Sequence, residues 1–390
     1  MKNKPNLFLT LPKEVIEKIL LRLSVRSLLR LKCVCKSWLS IISDPHFAKS
    51  HSDVTVASPQ RVLVKFPDHC RTLDIEAPLN HDSEVRIPVP SPSLSPQHPH
   101  PHHVDVVGSC RGFILLGAVY SDMVYFFVWN PTTHVYRLIN KPFLYYGPKR
   151  PLCGIGYDSS KDDYVVVVIP STSSPRPNTE VFYFSLSNNS WNFIRSDVPY
   201  KFKGGELRFG SFLRGAIHWL VGCYDPNDFF KIVAFDVRQM TLSEILLPRE
   251  LANNSCLSHF YKLMVLEGYL CLRFSRTAAI KWFKMWIMKE YKVHSSWSNS
   301  SIISDYCDHY ISFDPNCKSI DPICATKDGE VLAYVNCQRL MKLNGIAETP
   351  DEKCRPDETC SFDNYTTLSY FLYKESLLPP PQDFEKPSEE

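Results

Sequence analysis

Residues 125–139 read YFFVWNPTTHVYRLI: an apolar run of aromatic and β-branched residues, a short polar turn, and a second run of the same kind. Branched and aromatic side chains suit a pleated surface, while Asn, Pro and Thr punctuate it, so this stretch predicts two strands joined by a turn. The unit recurs as VFYFSLSNNSWNFI at 181–194, IVAFDVRQMTLSEI at 232–245 and MWIMKEYKVHSSWSNS at 285–300. Its turns fall near Asn130, Leu186, Asp236 and Lys289, a period of about 50 residues. Fainter copies fit RTLDIEA near Asp74 and RLMKLNG near Asn344. Ahead of several copies stands a glycine hairpin: GSCRGFILLG, GSFLRGAIHWLV, LEGYLCL and KDGEVLAYV. Four strands per unit, repeated about six times, predict a β-propeller; a β-sandwich does not require the period and ranks second. The repeat is degenerate. There is no Trp-Asp dipeptide, and 14 glycines in 390 residues fall well below the roughly 7% average, so a strict WD40 or kelch assignment is not supported. Trp129, Trp191, Trp219, Trp286 and Trp297 lie in strands of the repeat and are expected to pack between blades.

The first fifty residues differ in kind. Leu11, Val15, Ile16, Ile19, Leu20 and Leu23 recur at helical spacing, followed by Leu28, Leu31, Val34, Cys35, Trp38, Leu39 and Ile42. Thr10 and Ser27 are candidate caps, Pro12 suits a first turn, and Asp44-Pro45 should stop the run. Two or three short helices with wide apolar arcs cannot bury themselves. They must complete a core on another protein or dock on the body of their own chain. Residues 1–50 hold ten Lys/Arg against three Asp/Glu, although the whole chain carries only +3; such a head suits an acidic partner or is a solvated face. Near-neutral charge overall does not describe a nucleic-acid binder.

No pattern for catalysis or metal binding stands out. Fourteen cysteines include no CxxC pair, so zinc-finger ligation is not expected and most thiols should be small core residues. Cys110 in GSCRG lacks a nucleophile signature, CGIGYD lacks the third glycine of a dinucleotide loop, and SSKDDY is too short for a calcium loop. His134 and His218 read as structural, and Asp158, Asp162 and Asp163 as turn residues. Residues 87–103, IPVPSPSLSPQHPHPHH, contain six prolines and read as a disordered insertion whose histidines bind metal only adventitiously. The closing stretch LPPPQDFEKPSEE reads as a frayed end. No signal-peptide core and no membrane-length apolar run appear, so an intracellular chain with reduced thiols is expected, in cytoplasm and/or nucleus.

The head resembles an F-box. The residues that carry this are Leu11-Pro12, Glu14, Ile19-Leu20, Arg22-Leu23, Ser27-Leu28-Leu29-Arg30, Val34-Cys35-Lys36-Ser37-Trp38 and SDPHF at 43–47. Ser24 stands where the pattern commonly has proline, which implies a looser turn. The body is similar to the F-box-associated domain of plant F-box proteins, the group that includes the S-locus F-box proteins, through GSCRGFILL, VWNPTTHVYRLI, CGIGYDSSKDDYVVVV, EVFYFSLSNNSW, GAIHWLV, IVAFDV, LCL, MWIMKEY and YKESLLPP. The resemblance implies an α+β multidomain chain: a three-helix F-box at 8–50, a linker at 51–60, and an all-β, degenerate propeller-like domain at 61–380, ending in a flexible tail at 381–390. It implies a non-catalytic, cofactor-free substrate receptor of a Skp–cullin–F-box ubiquitin ligase. The Skp-type adaptor, and through it the cullin and RING subunits, would be met by Leu11, Pro12, Val15, Ile16, Ile19, Leu20, Leu23, Leu28, Leu31, Val34, Cys35 and Trp38. A target protein would be held by loops of the body, for which the aromatic and charged stretches KPFLYYGPKRP and CYDPNDFF nominate Phe143, Tyr145, Tyr146, Arg150, Tyr224, Phe229 and Phe230. A scaffold or decoy that spares its target, or a propeller enzyme, are the other readings.

Overall fold

A computed structural model describes residues 11–54, 60–66, 69–77, 85–90, 101, 103–120, 123–139, 143–144, 151–170, 179–196, 208–225, 228–252, 260–275, 283–300, 320–328, 330–335, 339–343, 359–361 and 369–381. The chain opens with four helices, α1 (Lys13–Leu20), α2 (Val25–Leu31), α3 (Lys36–Ser43) and α4 (Pro45–Val54). The helix over Pro45–Val54 exceeds the expected three and runs into the segment expected as linker. Asp44 produces it: its backbone is extended, and its Oδ1 accepts the His46 N–H at 2.7 Å. Pro45 then starts a new helix where its missing N–H is harmless. The cap of α2 is Ser24, whose Oγ accepts the Ser27 N–H at 3.3 Å, and not Ser27 itself. The serine that departs from the F-box pattern thus closes its own turn. Thr10 lies outside the described residues.

The body is built from antiparallel four-stranded units. In chain order the first comprises β1 (Gln60–Lys65), β2 (His69–Asp74) and β3 (Val85–Pro88); the second β4 (His103–Cys110), β5 (Phe113–Tyr120), β6 (Met123–Trp129) and β7 (Tyr136–Leu138), with the short β8 (Phe143–Leu144) added to β6. The third comprises β9 (Leu152–Asp158), β10 (Asp163–Ile169), β11 (Thr179–Ser185) and β12 (Ser190–Ser196); the fourth β13 (Arg208–Leu213), β14 (Ala216–Asp225), β15 (Asp228–Asp236) and β16 (Thr241–Ile245). After the short helix α5 (Arg249–Ala252), the fifth comprises β17 (Phe260–Leu266), β18 (Tyr269–Ser275), β19 (Phe283–Met288) and β20 (Trp297–Ser300); the sixth β21 (Ile320–Ala325), β22 (Val331–Val335), β23 (Arg339–Leu343) and β24 (Thr359–Ser361). The last strand, β25 (Ser369–Lys374), pairs antiparallel with β1 from Lys65↔Ser369 to Gln60↔Lys374 and supplies the missing first strand of blade one. These are six propeller blades, with the ring closed by the two ends of the β body.

Apolar wedges between blades hold the ring. Trp129 packs between blades one and two, Trp191 between two and three, Trp219 between three and four, and Trp286 with Trp297 between four and five. Val62, Val64 and Phe66 of blade one meet blades five and six through Met285, Leu332 and Tyr334. Those of these side chains that are fully buried contribute roughly 1.5–3 kcal/mol each. On the inner side β13 bridges in parallel to both β4 and β9, so blades two to four share one sheet. Backbone meets backbone there: a Cβ on Gly210 would lie 2.8 Å from the Cys153 carbonyl oxygen and 2.6 Å from Ile217 Cγ2.

The sequence repeat maps onto one recurring turn. Asn130, Leu186 and Lys289 each follow the third strand of their blade, and Asp236 ends it, as Asp74 ends the third strand of blade one; Asn344 lies outside the described residues. The glycine hairpins join first to second strands, with positive φ at Arg111-Gly112, Arg214-Gly215 and Glu267-Gly268, the pair of left-handed positions a type I′ turn requires. The Pro/His-rich insertion is narrower than 87–103: Ile87 is buried in β3, Val89 packs on the blade one–two core, and His103 begins β4. Proline is tolerated at Pro88 because β3 is an edge strand.

At Gly268 an added Cβ meets nothing within 4 Å, whereas at Gly112 it lands 2.3 Å from Ser376 Cβ. Gly268→Ala is expected to cost about 1–2 kcal/mol for the left-handed backbone alone, and Gly112→Ala clearly more, as read by denaturant unfolding of both variants.

Candidate functional site

The helices form a small module with a mixed surface. Leu20, Val25, Leu28, Ile41, Ile42, Phe47 and Ala48 make its core. Two of the residues expected to meet a partner, Leu20 and Leu28, are therefore structural: they point inward and shape the module. Leu11, Ile16, Leu23, Leu31 and Trp38 are half-buried, and Pro12, Val15, Ile19, Val34 and Cys35 are exposed. Val15 and Ile19 lie one turn apart on α1, and Leu39 of α3, which belongs to the periodic apolar set but not to the residues expected to meet the adaptor, is exposed as well. Cys33 and Cys35 are the exposed free thiols among the described cysteines; Cys70, Cys271 and Cys324 are buried and pushed up to about 12 by desolvation.

The module also sits on its own propeller. Lys49 of α4 pairs with Asp162, which also accepts from the Tyr157 hydroxyl. Asp53 accepts from Arg111 Nη2 at 2.6 Å, and that guanidinium lies 4.3 Å from the centre of the Tyr157 ring. Arg111 and Asp162 occupy the first hairpins of blades two and three. Lys49 and the Tyr157 hydroxyl hold the Asp162 carboxyl below its usual range.

A third contact comes from the end of the chain. Beyond β25, Glu375 accepts from Arg26 Nε of α2 at 3.0 Å and faces Arg61 Nε of β1 at 3.2 Å; Arg61 is fully buried. Leu377 enters the helical core. Asn130 donates through Nδ2 to the carbonyls of Ser376 and Leu378 at 2.9 and 2.8 Å. Arg137 donates to the carbonyls of Leu186 at 2.9 Å and Pro381 at 2.5 Å. The expectation that LPPP belongs to a frayed end is corrected here, because Pro380 is buried and Pro381 is hydrogen-bonded; residues 382–390 lie outside the description. Nothing local in YKESLLPP announces this role, because the partners Arg26, Arg61 and Asn130 are hundreds of residues away.

All of these contacts lie at one end of the propeller, where first-to-second and third-to-fourth strand turns emerge. Strands alternate in direction, so second-to-third turns and the connections between blades emerge at the other end. KPFLYYGPKRP joins β7 to β9, and CYDPNDFF forms the β14–β15 hairpin, so both nominated stretches belong to that far end. Phe143 pairs with Val124 in the β8–β6 ladder, and Tyr224 and Phe229 fall within β14 and β15. Tyr145, Tyr146 and Arg150, and the side chains of Phe143, Tyr224 and Phe229, lie outside the described residues. Phe230, nominated for target contact, packs partly buried against the blade four–five core.

A profile of the F-box domain matches residues 8–50, and a profile of the F-box associated beta propeller domain matches 61–342. The chain belongs to the F-box proteins with an associated β-propeller. Among relatives of this F-box protein, an F-box/kelch-repeat protein of Arabidopsis thaliana is 27% identical over 74% of this chain and 78% of its own length. Two others from that plant are F-box protein CPR1, 26% identical over 74% and 72%, and a further F-box protein, 27% identical over 85% and 90%. Among solved structures, an α-L-arabinanase of Penicillium chrysogenum overlays at TM-score 0.38 and 10% identity, covering 63% of this chain and 79% of that one. A likeness so distant fixes neither fold nor chemistry.

The residues that tempt a chemical reading are occupied by structural tasks. Burial raises the Cys110 thiol well above its ordinary value, against the nearby Arg111 charge. Asp158 accepts the Ser160 N–H at 2.9 Å, and Asp163 accepts the Ser187 N–H at 2.9 Å and the Ser185 hydroxyl at 2.5 Å. His218 is fully buried, with Nδ1 3.0 Å from the Ser211 carbonyl and Nε2 2.8 Å from the Tyr291 hydroxyl. Desolvation lowers its pKa to about 4. No group of three His, Cys, Asp or Glu that would hold a metal occurs among the described residues, and no described helix is long and apolar enough to cross a membrane.

Two outcomes are expected. Asn130→Ala leaves two carbonyls without their donor and should cost about 1–3 kcal/mol in unfolding free energy. The unfolded chain protonates His218 near pH 6.5 and the folded chain only near pH 4, so stability is complete above pH 6.5 and falls as the pH drops toward 4. Thermal midpoints followed from pH 7 to 4.5 should fall more steeply for the wild type than for His218→Gln.

Proposed function

We propose that this F-box protein is the substrate-recognition subunit of a Skp–cullin–F-box ubiquitin ligase. The observation that carries the reading is the unequal coverage of the helical module. One side is seated on the propeller, while Val15, Ile19, Val34 and Leu39 stay in solvent. Exposed apolar residues on a module this small mark a protein-binding face, and the surrounding excess of Lys and Arg favours an acidic adaptor of the Skp type. Through that adaptor the chain would reach cullin and RING subunits.

The target protein is held at the far end of the propeller, by the inter-blade connections and the β14–β15 hairpin. The receptor itself breaks no bond. It raises the effective concentration of target lysines beside a ubiquitin-loaded enzyme. The setting of such an assembly is the cytoplasm or nucleus. The F-box assignment and the structural occupation of Cys110, Asp158, Asp163 and His218 support a receptor over a propeller enzyme.

The test pairs surface with core. The double variant Val15→Asp, Ile19→Asp should leave the melting temperature unchanged and weaken binding of a Skp-type adaptor more than about 100-fold, since an interface hot spot contributes about 2 kcal/mol or more. Leu28→Ala should instead cost about 2–5 kcal/mol of stability. Undiminished adaptor binding by the double variant defeats the reading. Reconstituted ubiquitination of proteins captured by the far end then separates a working receptor from a scaffold that spares its target.

A further inference from the structure

The core of the helical module is unfinished within the module. Its one buried member from outside the helices, among the described residues, is Leu377, which is 6% exposed and comes from the opposite end of the chain. Leu378 packs against the same cluster. A segment of some forty residues is too small to be secure by itself, so this closure matters more than it would in a large domain. Leu377 lies three residues past Lys374, the last residue of β25, with no spacer between. Its position is therefore dictated by the register of β25 on β1, and that pairing forms only when the ring closes.

Electrostatics makes the same link. Arg61 sits in β1 with no exposed surface, facing Glu375 at 3.2 Å and Asp74 at 3.4 Å. Glu375 in turn reaches Arg26 on α2. One carboxylate is thus shared between a buried guanidinium of the propeller and a guanidinium of the helical module. Withdrawing it leaves a buried charge undercompensated, so intermediate positions of the segment are disfavoured. Asn130 holds the carbonyls on both sides of Leu377, and Gly112 leaves just the room that Ser376 occupies.

We propose that residues 375–381 are a completion latch: the helical module attains its adaptor-binding form only after the propeller ring has closed and this segment is seated. The proposal rests on the adaptor-binding role given above and adds a condition to it. The helices precede the propeller in the chain and the latch follows it, so a receptor with a truncated or open propeller presents a loosened module and is not loaded into the ligase. The ligase thereby receives only receptors whose target-binding domain is complete.

The experiment uses the full chain as wild type, Leu377→Asp, Arg26→Ala, and Pro379→Ala as a control at an exposed position of the segment. Amide hydrogen exchange of α2–α4 and of β9–β18 is measured beside titration with a purified Skp-type adaptor. In Leu377→Asp the α2–α4 amides should exchange at least tenfold faster while β9–β18 stay protected, and adaptor affinity should fall at least tenfold. Arg26→Ala, which leaves every propeller residue in place, should shift both readouts in the same direction, and Pro379→Ala neither. Unchanged α2–α4 protection in Leu377→Asp overturns the latch, as does faster exchange with undiminished adaptor affinity. Should Leu377→Asp fail to fold, Arg26→Ala decides by the same two criteria. If wild type ignores the adaptor, the receptor reading fails, and the dependence of the helices on the latch is judged on exchange alone.

Discussion

The pairing of Gln60–Lys65 with Ser369–Lys374 is the constraint on which the architecture rests. A propeller blade has two flanks, and each needs a neighbour; an open ring would expose two apolar flanks at its one open seam. Here the first blade lacks a strand until β25, which follows all the other blades in sequence. The closing strand brings Val62, Val64 and Phe66 into the core shared with blades five and six, and it places Glu375 beside Arg61. Folding of this body is therefore governed by contacts of long sequence separation, which are slow to find and strongly cooperative once formed.

That closure also sets how the two parts of the protein relate. The helices touch the propeller through two polar seats on blades two and three and through the segment leaving blade one. The exposed ion pairs contribute little individually, but they act on a module already anchored by Leu377. Under the receptor role proposed above, this seating would give a bound target a definite distance and angle to the adaptor, which is what a mechanism based on proximity requires.

The ring was legible in the sequence because alternation, aromatic content and turn residues all agree with a four-stranded unit of constant length. Its finer regularity was not. His134, Asn189 and Met240 occupy the same left-handed position in the turns of successive blades, yet they share no chemistry, because the strands on either side impose the backbone and the side chains are free to vary. Similarly, helical periodicity found α1 to α3 but could not tell Leu20 and Leu28, which face inward, from Val15 and Ile19, which do not. Leu377 packs into the same core as Leu20 and Leu28, and no local pattern connects residue 377 to residue 28. Pro380 and Pro381 misled for a related reason. Proline-rich ends usually fray, but Pro380 is held by burial and Pro381 by its carbonyl, an acceptor that proline retains.

The alternation of strand direction has a further consequence. In blades two to four the connections at the helical end are tight turns fixed by a glycine or an Asx side chain, as Asn130 and Asp236 show by capping the amides that follow them. The opposite end carries the longer joins, among them residues 141–151 between the second blade and the third. Mutation is thus sorted by geography. Insertions and substitutions at the far rim leave the seating of the helices undisturbed, so under the receptor role proposed above the target-binding surface could change while the adaptor-binding helices stay constant.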